Sequence, residues 1–341
     1  MKRKIYIRAD GNSQIGLGHV IRCTALADML RDDFFCTFLI QKPSEFLKNE
    51  MKNAGADYIE ISETKNYISE VKEISEKFIK SENIVVLDGY NFETEYQRIV
   101  KNTGCKLVCI DDIHTYHFVA DAVINHAGGV KAEQYSMAEY TKLFLGFNYA
   151  LLRKPFRESL IKERILDKIE ACFVFLGGGF IPLITKYSLS VLLEIVSIKQ
   201  INFVKGNEVI FKNEVIPLIK RSSKINVFEN LSAEEFCKLI EVSQLAICPA
   251  STTALECCSV GVGLISIKTV ENQENILLGI DGMKLGQTNA EILMQTNEFL
   301  KNSLKYYLDD DNNLKNVLVH QKKIFNYNII NSLVQIFKDL C

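Results

Sequence analysis

The sequence lacks the features by which membrane proteins, nucleic-acid-binding proteins and disulfide-rich proteins are recognised. No uncharged apolar run reaches the about 18 residues that a membrane span needs. The formal net charge is −2, whereas nucleic-acid binding requires a basic face. None of the ten cysteines belongs to a Cys-x-x-Cys pair, and several lie inside apolar runs. We therefore expect reduced, buried thiols in a cytoplasmic protein.

The composition, with 341 residues of which 48% are hydrophobic and 24% charged, is that of a globular protein. At roughly 100–200 residues per domain, this length predicts two domains. In the first half of the chain, short apolar runs alternate with longer amphipathic stretches. The runs are Ile5–Ile7, Thr37–Ile40, Tyr58–Ile61, Ile84–Leu87, Leu107–Ile110, Ala122–Ile124 and Leu143–Leu145. Strands that alternate with helices indicate a parallel sheet covered on both faces.

The pattern stops at the charged stretch Leu152–Lys168 and then begins again. The strand-like runs of the second half are Phe173–Leu176, Ile201–Val204, Ile225–Phe228, Leu245–Ile247 and Leu264–Ile267. We therefore predict an α/β protein with two Rossmann-like domains that face one cleft, residues 1–160 and 161–320. The tail from residue 289 is typical of helices only, and a last helix over residues 321–341 that returns to the first domain is consistent with it.

A glycine-rich turn follows the first strand and contains Gly16-Leu-Gly18-His19. It places backbone N–H groups and a helix N-terminus at the carboxyl edge of the sheet, where open α/β sheets bind ligands. The turn is not a dinucleotide fingerprint, since a third glycine is lacking, and it is not a P-loop. His19 falls in the first helical turn, whose dipole disfavours an imidazolium, so a neutral imidazole there suits a general base. The alternative is a histidine that only hydrogen-bonds the loop.

Two further loops follow strands of the second half. The three glycines Gly177–Gly179 let a phosphate approach the backbone, or simply form a tight turn. The hydroxyl residues Ser251–Thr253 begin a helix and either bind an anion or only cap the helix. The carboxylate of Glu256, one turn later, can accept from both ribose hydroxyls or only interact with the helix dipole. Asn272 and Gln273 either hydrogen-bond a sugar or hold their own loop.

Two other groups of polar residues follow strands. His114-x-x-His117 follows Asp111-Asp112 and adds metal-ligating residue types, but we interpret Asp111-Asp112-x-His114 as a loop that closes on itself, and no metal site is predicted. Tyr90 and His126 each come after a strand, where they could face the cleft.

Taken together, these segments resemble the UDP-sugar hydrolases of the pseudaminic acid pathway. The resemblance rests first on the N-terminal motif, which runs from Arg8 to Ala27. Three later segments and two residue pairs follow in the family's order. The segments are Leu87-Asp-Gly-Tyr90, Leu145–Arg153, and Ala250–Glu256 with Gly261-Val-Gly263, and the pairs are Asp111-Asp112 and Asn272-Gln273. The resemblance implies a GT-B-like fold, related to the UDP-GlcNAc transferase of peptidoglycan lipid synthesis.

The resemblance implies that the first domain holds the sugar and the second holds UDP. His19 matches the catalytic base, Glu256 the ribose ligand, and Ser251–Thr253 the diphosphate loop. The residues that we expect to contact substrate are Asp10, Gly16, Gly18, Arg22, Tyr90, Gly178, Ser251, Thr252, Thr253, Glu256, Asn272 and Gln273.

The implied reaction is the attack of water on the anomeric carbon of a UDP-linked 2,4-diacetamido-2,4,6-trideoxy sugar of the L-altrose type. It inverts that carbon and releases UDP and the free sugar, for pseudaminic acid biosynthesis. No cofactor or metal is expected, because a nucleoside diphosphate leaves without the protonation that ordinary glycosidases must supply. The UDP-sugar and water are the only partners expected. Two alternatives stay open, a UDP-dependent GT-B glycosyltransferase and a non-catalytic nucleotide-sugar-binding protein.

Overall fold

A computed structural model describes residues 2–12, 16–166, 168–177, 182–206, 215–290 and 296–341. The chain divides into two compact units, one made of Met1–Lys154 with Asn328–Cys341 and the other of Pro155–Tyr327. Each unit is built on one large parallel sheet. The predicted α/β class is therefore confirmed.

The sheet of the first unit has seven parallel strands in the order β3-β2-β1-β4-β5-β7-β9, and β6 and β8 pair separately. The strands are β1 (Arg3–Ala9), β2 (Phe34–Gln41), β3 (Asp57–Ile61), β4 (Ile84–Asp88), β5 (Lys106–Ile110), β6 (His117–Phe118), β7 (Ala122–Asn125), β8 (Ser136–Met137) and β9 (Lys142–Leu145). Central strand β4 is buried along its whole length. Burial on both faces explains why its sequence is a continuous apolar run rather than an alternating one.

The sheet of the second unit has six parallel strands in the order β12-β11-β10-β13-β14-β15. These are β10 (Ala171–Val174), β11 (Gln200–Val204), β12 (Ile225–Phe228), β13 (Leu245–Pro249), β14 (Gly263–Ile267) and β15 (Gln287–Asn289). The runs predicted from the sequence fall on β1–β5, β7 and β9–β14. The short strand β15 was not predicted, because its residues Gln287, Thr288 and Asn289 form no apolar run.

The helices lie between the strands and in the tail. They are α1 (Gly18–Leu30), α2 (Glu45–Asn53), α3 (Tyr67–Phe78), α4 (Thr94–Lys101), α5 (Lys154–Ser159), α6 (Pro182–Glu194), α7 (Ile216–Arg221), α8 (Ala233–Glu241), α9 (Thr252–Val260), α10 (Glu274–Gly282), α11 (Thr296–Asp309), α12 (Asp311–Ile324) and α13 (Asn328–Asp339). Several begin at capping side chains. Ser232 starts α8, with its hydroxyl accepting from Glu235 N–H at 3.2 Å while the Glu235 carboxylate accepts from Ser232 N–H at 2.8 Å.

In each sheet the strand order reverses beside the first strand of the unit. In the first unit, β1 lies between β2 and β4, and in the second unit β10 lies between β11 and β13. At such a switch point the connections leave in opposite directions, so a crevice opens outside the carboxyl ends of the two strands. The topology of each unit therefore predicts at which edge of the sheet a ligand would bind.

The last helix, α13, packs within the first unit although it follows the second unit in the chain. The Phe337 ring contacts the Phe34 ring edge-to-face at 6.3 Å. Lys338 Nζ lies 2.8 Å from the Asp33 carboxylate, and Arg3 Nη1 donates to the Leu340 carbonyl at 3.0 Å. Apolar and polar contacts together fix α13 beside β1 and β2.

The structure also tests the expected thiols and the absence of a membrane span. Nine of the ten cysteines are buried, Cys341 is exposed, and none forms a disulfide. The expected reduced thiols are present, and Cys341 differs from the expectation only in being exposed rather than buried. Among the described residues, no helix combines the length and the apolar character needed to cross a membrane.

Candidate functional site

Four adjacent strands of the first unit bring polar residues to one edge of the sheet. The parallel register pairs Ala9 of β1 with Asp88 of β4, Asp88 with Ile110 of β5, and Ile110 with Ile124 of β7. The residues that follow these strands therefore meet at the carboxyl edge, although they are far apart in the sequence. This edge carries His19, Asp88, Tyr90, Asp111, Asp112 and His126.

His19 lies in the first turn of α1, as the sequence predicted, and is buried. Its Nδ1 lies 2.7 Å from Asp88 Oδ1. Arg22, one turn further along the same helix, approaches the same carboxylate with Nε at 2.7 Å from Oδ2 and Nη2 at 2.6 Å from Oδ1. This bidentate contact holds the Asp88 carboxylate in one position. Because His19 Nδ1 contacts the same carboxylate, the contact also orients the His19 ring.

The protonation of Asp88 determines which histidine nitrogen is basic. Burial alone would raise the pKa of the Asp88 carboxyl, but the Arg22 charge and the contacts from Arg22 and His19 hold that pKa well below its usual range. Asp88 is therefore ionised at neutral pH and only accepts hydrogen bonds. Two groups approach His19 Nδ1, the Asp88 carboxylate at 2.7 Å and the Arg22 Nη2 donor at 3.1 Å. Arg22 Nη2 lies closer to Asp88 Oδ1, at 2.6 Å, so the shorter contacts favour a proton on His19 Nδ1, and in that tautomer the lone pair of Nε2 is the basic one.

Tyr90 and Asp112 complete a small pocket beside His19. The Tyr90 ring meets the His19 ring edge-on at 4.8 Å, and the Tyr90 hydroxyl donates to Asp112 Oδ2 at 3.3 Å. Arg22 Nη1 donates to the same Asp112 oxygen at 3.2 Å. The pocket is lined by His19, Arg22, Gly89, Tyr90, Asp112 and Tyr116, among others. A base, a phenol and a carboxylate thus border one cavity of the first unit.

The other predicted residues of the first glycine-rich turn shape the loop. Asp10 accepts from Arg8 Nη2 at 2.6 Å through Oδ2 and from Gln41 N–H at 3.0 Å through Oδ1. Gly16 has φ +81°, in the left-handed region that favours glycine, and exchanges two backbone hydrogen bonds with Asn12. Gly18 is the first residue of α1. These residues hold the backbone that presents His19.

His126 lies at the end of β7, next to the same cluster. The side chain is buried, and its Nδ1 has no hydrogen-bond partner among the described residues. Burial and the nearby Arg22 charge lower the pKa of His126 to about 4. The imidazole is therefore neutral at physiological pH.

In the second unit, the loop after β13 begins helix α9 as predicted. Ser251 is the N-cap residue, and its hydroxyl accepts from Thr253 N–H at 3.4 Å. Thr252 and Thr253 form the first turn, which contains no acidic residue. Glu256 lies one turn further on and is buried. The helix N-terminus therefore offers partial positive charge at the carboxyl edge of the second sheet, without a carboxylate in its first turn.

The loop after β14 carries the two predicted amides. Gln273 is buried, and its Oε1 accepts from the Thr269 N–H at 2.7 Å and from the Thr269 hydroxyl at 3.1 Å. Of the two roles considered for Gln273, its carbonyl therefore performs the loop-holding one. Asn272 lies beside it in a short 3₁₀ turn. Gly178 lies outside the described residues, and Gly177 before it has φ +91°.

No group of three or more His, Cys, Asp or Glu side chains able to hold a metal occurs among the residues that the structure describes. The Asp111 carboxylate instead accepts from His114 N–H and, at 2.8 Å, from the Tyr135 hydroxyl. The loop closes on itself here, as the sequence interpretation had it.

Sequence reasoning did not assign roles to Asp88 and Asp112, although both lie in segments that carry the family resemblance. Each was read as part of a motif rather than as a partner of His19 and Arg22. The available signal was positional, because Asp88 ends β4 and Asp112 follows β5, and the ends of parallel strands share one edge.

Comparison with known proteins gives relatives of moderate identity. No protein-family model matches the chain. The chain is 26% identical to the UDP-2,4-diacetamido-2,4,6-trideoxy-beta-L-altropyranose hydrolase of Campylobacter jejuni, over 80% of this chain and 94% of that protein. It is 23% identical to the spore coat polysaccharide biosynthesis protein SpsG of Bacillus subtilis, over 78% of each chain. It is also 26% identical to an uncharacterized protein of Methanocaldococcus jannaschii, of which it spans 56% of the length.

Solved structures show the fold. MurG of Acinetobacter baumannii aligns over 99% of this chain with a TM-score of 0.64 and 13% identity. The calicheamicin glycosyltransferase CalG4 aligns over all of it with a TM-score of 0.67 and 12% identity. These are GT-B glycosyltransferases, so the expected GT-B-like fold is confirmed. On this fold, the chain is similar over 80% of its length to a UDP-sugar hydrolase, which confirms the resemblance inferred from its motifs.

Proposed function

We propose that the chain is an enzyme acting on a UDP-sugar, and specifically a hydrolase. The substrate would be a UDP-linked 2,4-diacetamido-2,4,6-trideoxy sugar of the L-altrose type, cleaved with inversion for pseudaminic acid biosynthesis. The observation that carries the proposal is the 2.7 Å contact between His19 Nδ1 and ionised Asp88, because it favours Nε2 as the basic nitrogen of a histidine that lines a pocket. Similarity to the Campylobacter hydrolase supports the choice of substrate.

In the proposed reaction, a water molecule attacks the anomeric carbon while His19 Nε2 takes its proton. A bond forms between that carbon and the water oxygen, and the bond from the carbon to the UDP oxygen breaks. Asp88 stabilises the imidazolium that results, because its negative charge contacts the opposite side of the ring. A single displacement of this kind inverts the configuration of the carbon.

The second unit would bind the departing UDP. The N-terminus of α9 presents N–H groups and the hydroxyls of Ser251–Thr253, which are suited to a diphosphate. A nucleoside diphosphate needs its charge stabilised rather than a proton, so one base is enough. The proposed mechanism invokes no metal ion or cofactor.

Replacing the base tests this proposal. His19→Asn should bind UDP as the wild type does, since UDP is assigned to the second unit, but should lose at least about 100-fold in kcat because it has no general base. His320→Asn, at a partly exposed position of α12 in the second unit, serves as the control. A His19→Asn rate within about twofold of the wild type would contradict the role of His19.

A GT-B glycosyltransferase is the second candidate, since the fold neighbours include such enzymes. In it, His19 would activate an acceptor hydroxyl instead of water. Incubating the protein with the UDP-sugar and no acceptor separates the two, because only the hydrolase releases UDP rapidly. A third candidate, a nucleotide-sugar-binding protein, would bind UDP saturably and form no product.

A further inference from the structure

The pocket beside His19 contains more carboxylates than cations. Arg22 is the one Lys or Arg side chain among the described residues that line it, whereas Asp111 and Asp112 line it and Asp88 lies directly behind His19. Neighbouring His126 adds no positive charge at neutral pH, because burial and Arg22 lower its pKa to about 4. Burial raises the pKa of Asp111, but Asp88 and Asp112 alone already outnumber Arg22, so the pocket carries an excess of negative charge.

Asp112 is the carboxylate of this group with acceptor capacity to spare. Arg22 Nη1 and the Tyr90 hydroxyl both donate to its Oδ2, at 3.2 Å and 3.3 Å. No hydrogen bond joins its Oδ1 to any residue that the structure describes, and its side chain retains 15% exposure at the pocket. Asp88 is fully buried, with both oxygens occupied. Asp111 is held by Tyr135 and His114. An ionised carboxylate offers about four acceptor positions, so Asp112 can receive further donors.

We propose that Asp112 determines which sugars the pocket accepts. Its Oδ1 accepts a hydrogen bond from an N–H or O–H group of the sugar, and its negative charge disfavours sugars that carry a carboxylate. The substrate class is then an uncharged sugar with amide or hydroxyl donors, and uronic acid sugars are excluded. This inference rests on the proposed function, because that function places the sugar at the His19 pocket.

The test compares two nucleotide sugars that differ only at C6, UDP-glucose and UDP-glucuronate, by equilibrium binding with UDP as the reference. The wild type should bind UDP-glucuronate at least about tenfold more weakly than UDP-glucose, because carboxylates repel in a partly buried pocket. Asp112→Asn keeps the shape and removes the charge, so the ratio should fall to about two- or threefold. Asp112→Glu keeps the charge and should keep most of the ratio. Asp33→Asn, at a surface ion pair of the first unit, should leave the ratio unchanged.

If Asp112 had only a structural role, Asp112→Asn would bind both nucleotide sugars more weakly by the same factor, and the ratio of the two affinities would not change. That result would overturn the inference, as would equal wild-type affinity for the two nucleotide sugars. Circular dichroism of Asp112→Asn checks folding, and Asp112→Glu carries the comparison if that variant is unfolded. If Asp112→Glu then bound UDP-glucose and UDP-glucuronate with equal affinity, that result would count against the proposal. Because binding is measured, failure of the enzyme to hydrolyse any UDP-sugar would refute the proposed function without deciding the role of Asp112.

Discussion

At the residue scale, the site depends on one carboxylate that three residues of α1 contact. Asp88 accepts from Arg22 through both oxygens, lies 2.7 Å from His19 Nδ1, and accepts from Cys23 Sγ at 3.3 Å. It is completely buried. The same side chain therefore attaches α1 to β4 and orients the proposed base.

Asp88→Asn should destabilise the protein and impair catalysis together. The variant removes the buried carboxylate that contacts Arg22 through both oxygens and leaves the guanidinium only the longer contact with Asp112. Breaking a buried ion pair typically costs about 3–5 kcal/mol in the free energy of unfolding. Urea denaturation measures the loss, and steady-state kinetics measures kcat. Asp33→Asn removes a surface ion pair and should cost less than about 1 kcal/mol. A loss of similar size in the two variants would mean that Asp88 does not hold the site.

His126 should make stability fall on acidification. Its pKa is 6.5 in the unfolded chain and about 4 in the folded protein, so between these values the unfolded state binds the extra proton. The contribution of the neutral His126 imidazole to the free energy of unfolding is complete above pH 6.5 and is lost progressively down to pH 4. The total loss is about 3 kcal/mol. Urea midpoints at several pH values should show a shallower pH dependence for His126→Gln than for the wild type. Parallel curves would contradict the buried neutral imidazole.

The sequence was sufficient to single out His19 but not its partners. A histidine after a glycine-rich turn has a recognisable local context, because strand, turn and helix are contiguous. Asp88 and Asp112 come close to His19 and Arg22 only because β1, β4 and β5 pair in register. That pairing depends on contacts between residues distant in sequence, which the sequence alone does not show. For Gln273 the sequence left two roles open, hydrogen bonding to a sugar and holding its own loop, and the contacts with Thr269 correspond to the second.

At the element scale, most of the architecture follows from local patterns. Continuous apolar runs predict the buried strands because parallel sheets are covered on both faces. Ser44, Asn66, Ser232 and Ser251 cap α2, α3, α8 and α9, respectively. The edge strand β15 was not predicted. It pairs with β14 through backbone hydrogen bonds, and its polar side chains form no hydrophobic pattern that would indicate a strand.

Two glycines of the second unit should respond in opposite directions to replacement by alanine. At Gly263, the start of β14, a Cβ would collide with Leu245 Cδ2 and lie 3.0 Å from Leu314 Cδ1, so Gly263→Ala should cost about 1–3 kcal/mol. At Gly282 in α10 a Cβ meets nothing within 4 Å, so Gly282→Ala should stabilise by up to about 1 kcal/mol. Thermal unfolding of both variants measures the signs, and equal signs would contradict this packing.

At the scale of the whole molecule, the first unit is discontinuous in sequence. Residues Asn328–Cys341 complete it after the chain has formed the second unit. The sequence indicated a helical tail, but its packing depends on the match between Phe34 and Phe337, which no local pattern reveals.

Phe337→Ala should therefore loosen the first unit and not the second. The ring is fully buried, and truncating such a side chain typically costs about 3–5 kcal/mol. Hydrogen exchange should show faster exchange in β1 and β2, with β13 and β14 unchanged. Faster exchange confined to β13 and β14 would contradict the assignment of α13 to the first unit.

The measurement that tests the central claim most directly is hydrolysis of the UDP-diacetamido sugar in ¹⁸O-labelled water, followed by NMR and mass spectrometry. Attack of water on the anomeric carbon predicts that ¹⁸O enters the sugar, that UDP stays unlabelled, and that the first anomer formed is inverted. Label in UDP, or initial release of the retained anomer, would contradict a single displacement with His19 as the base.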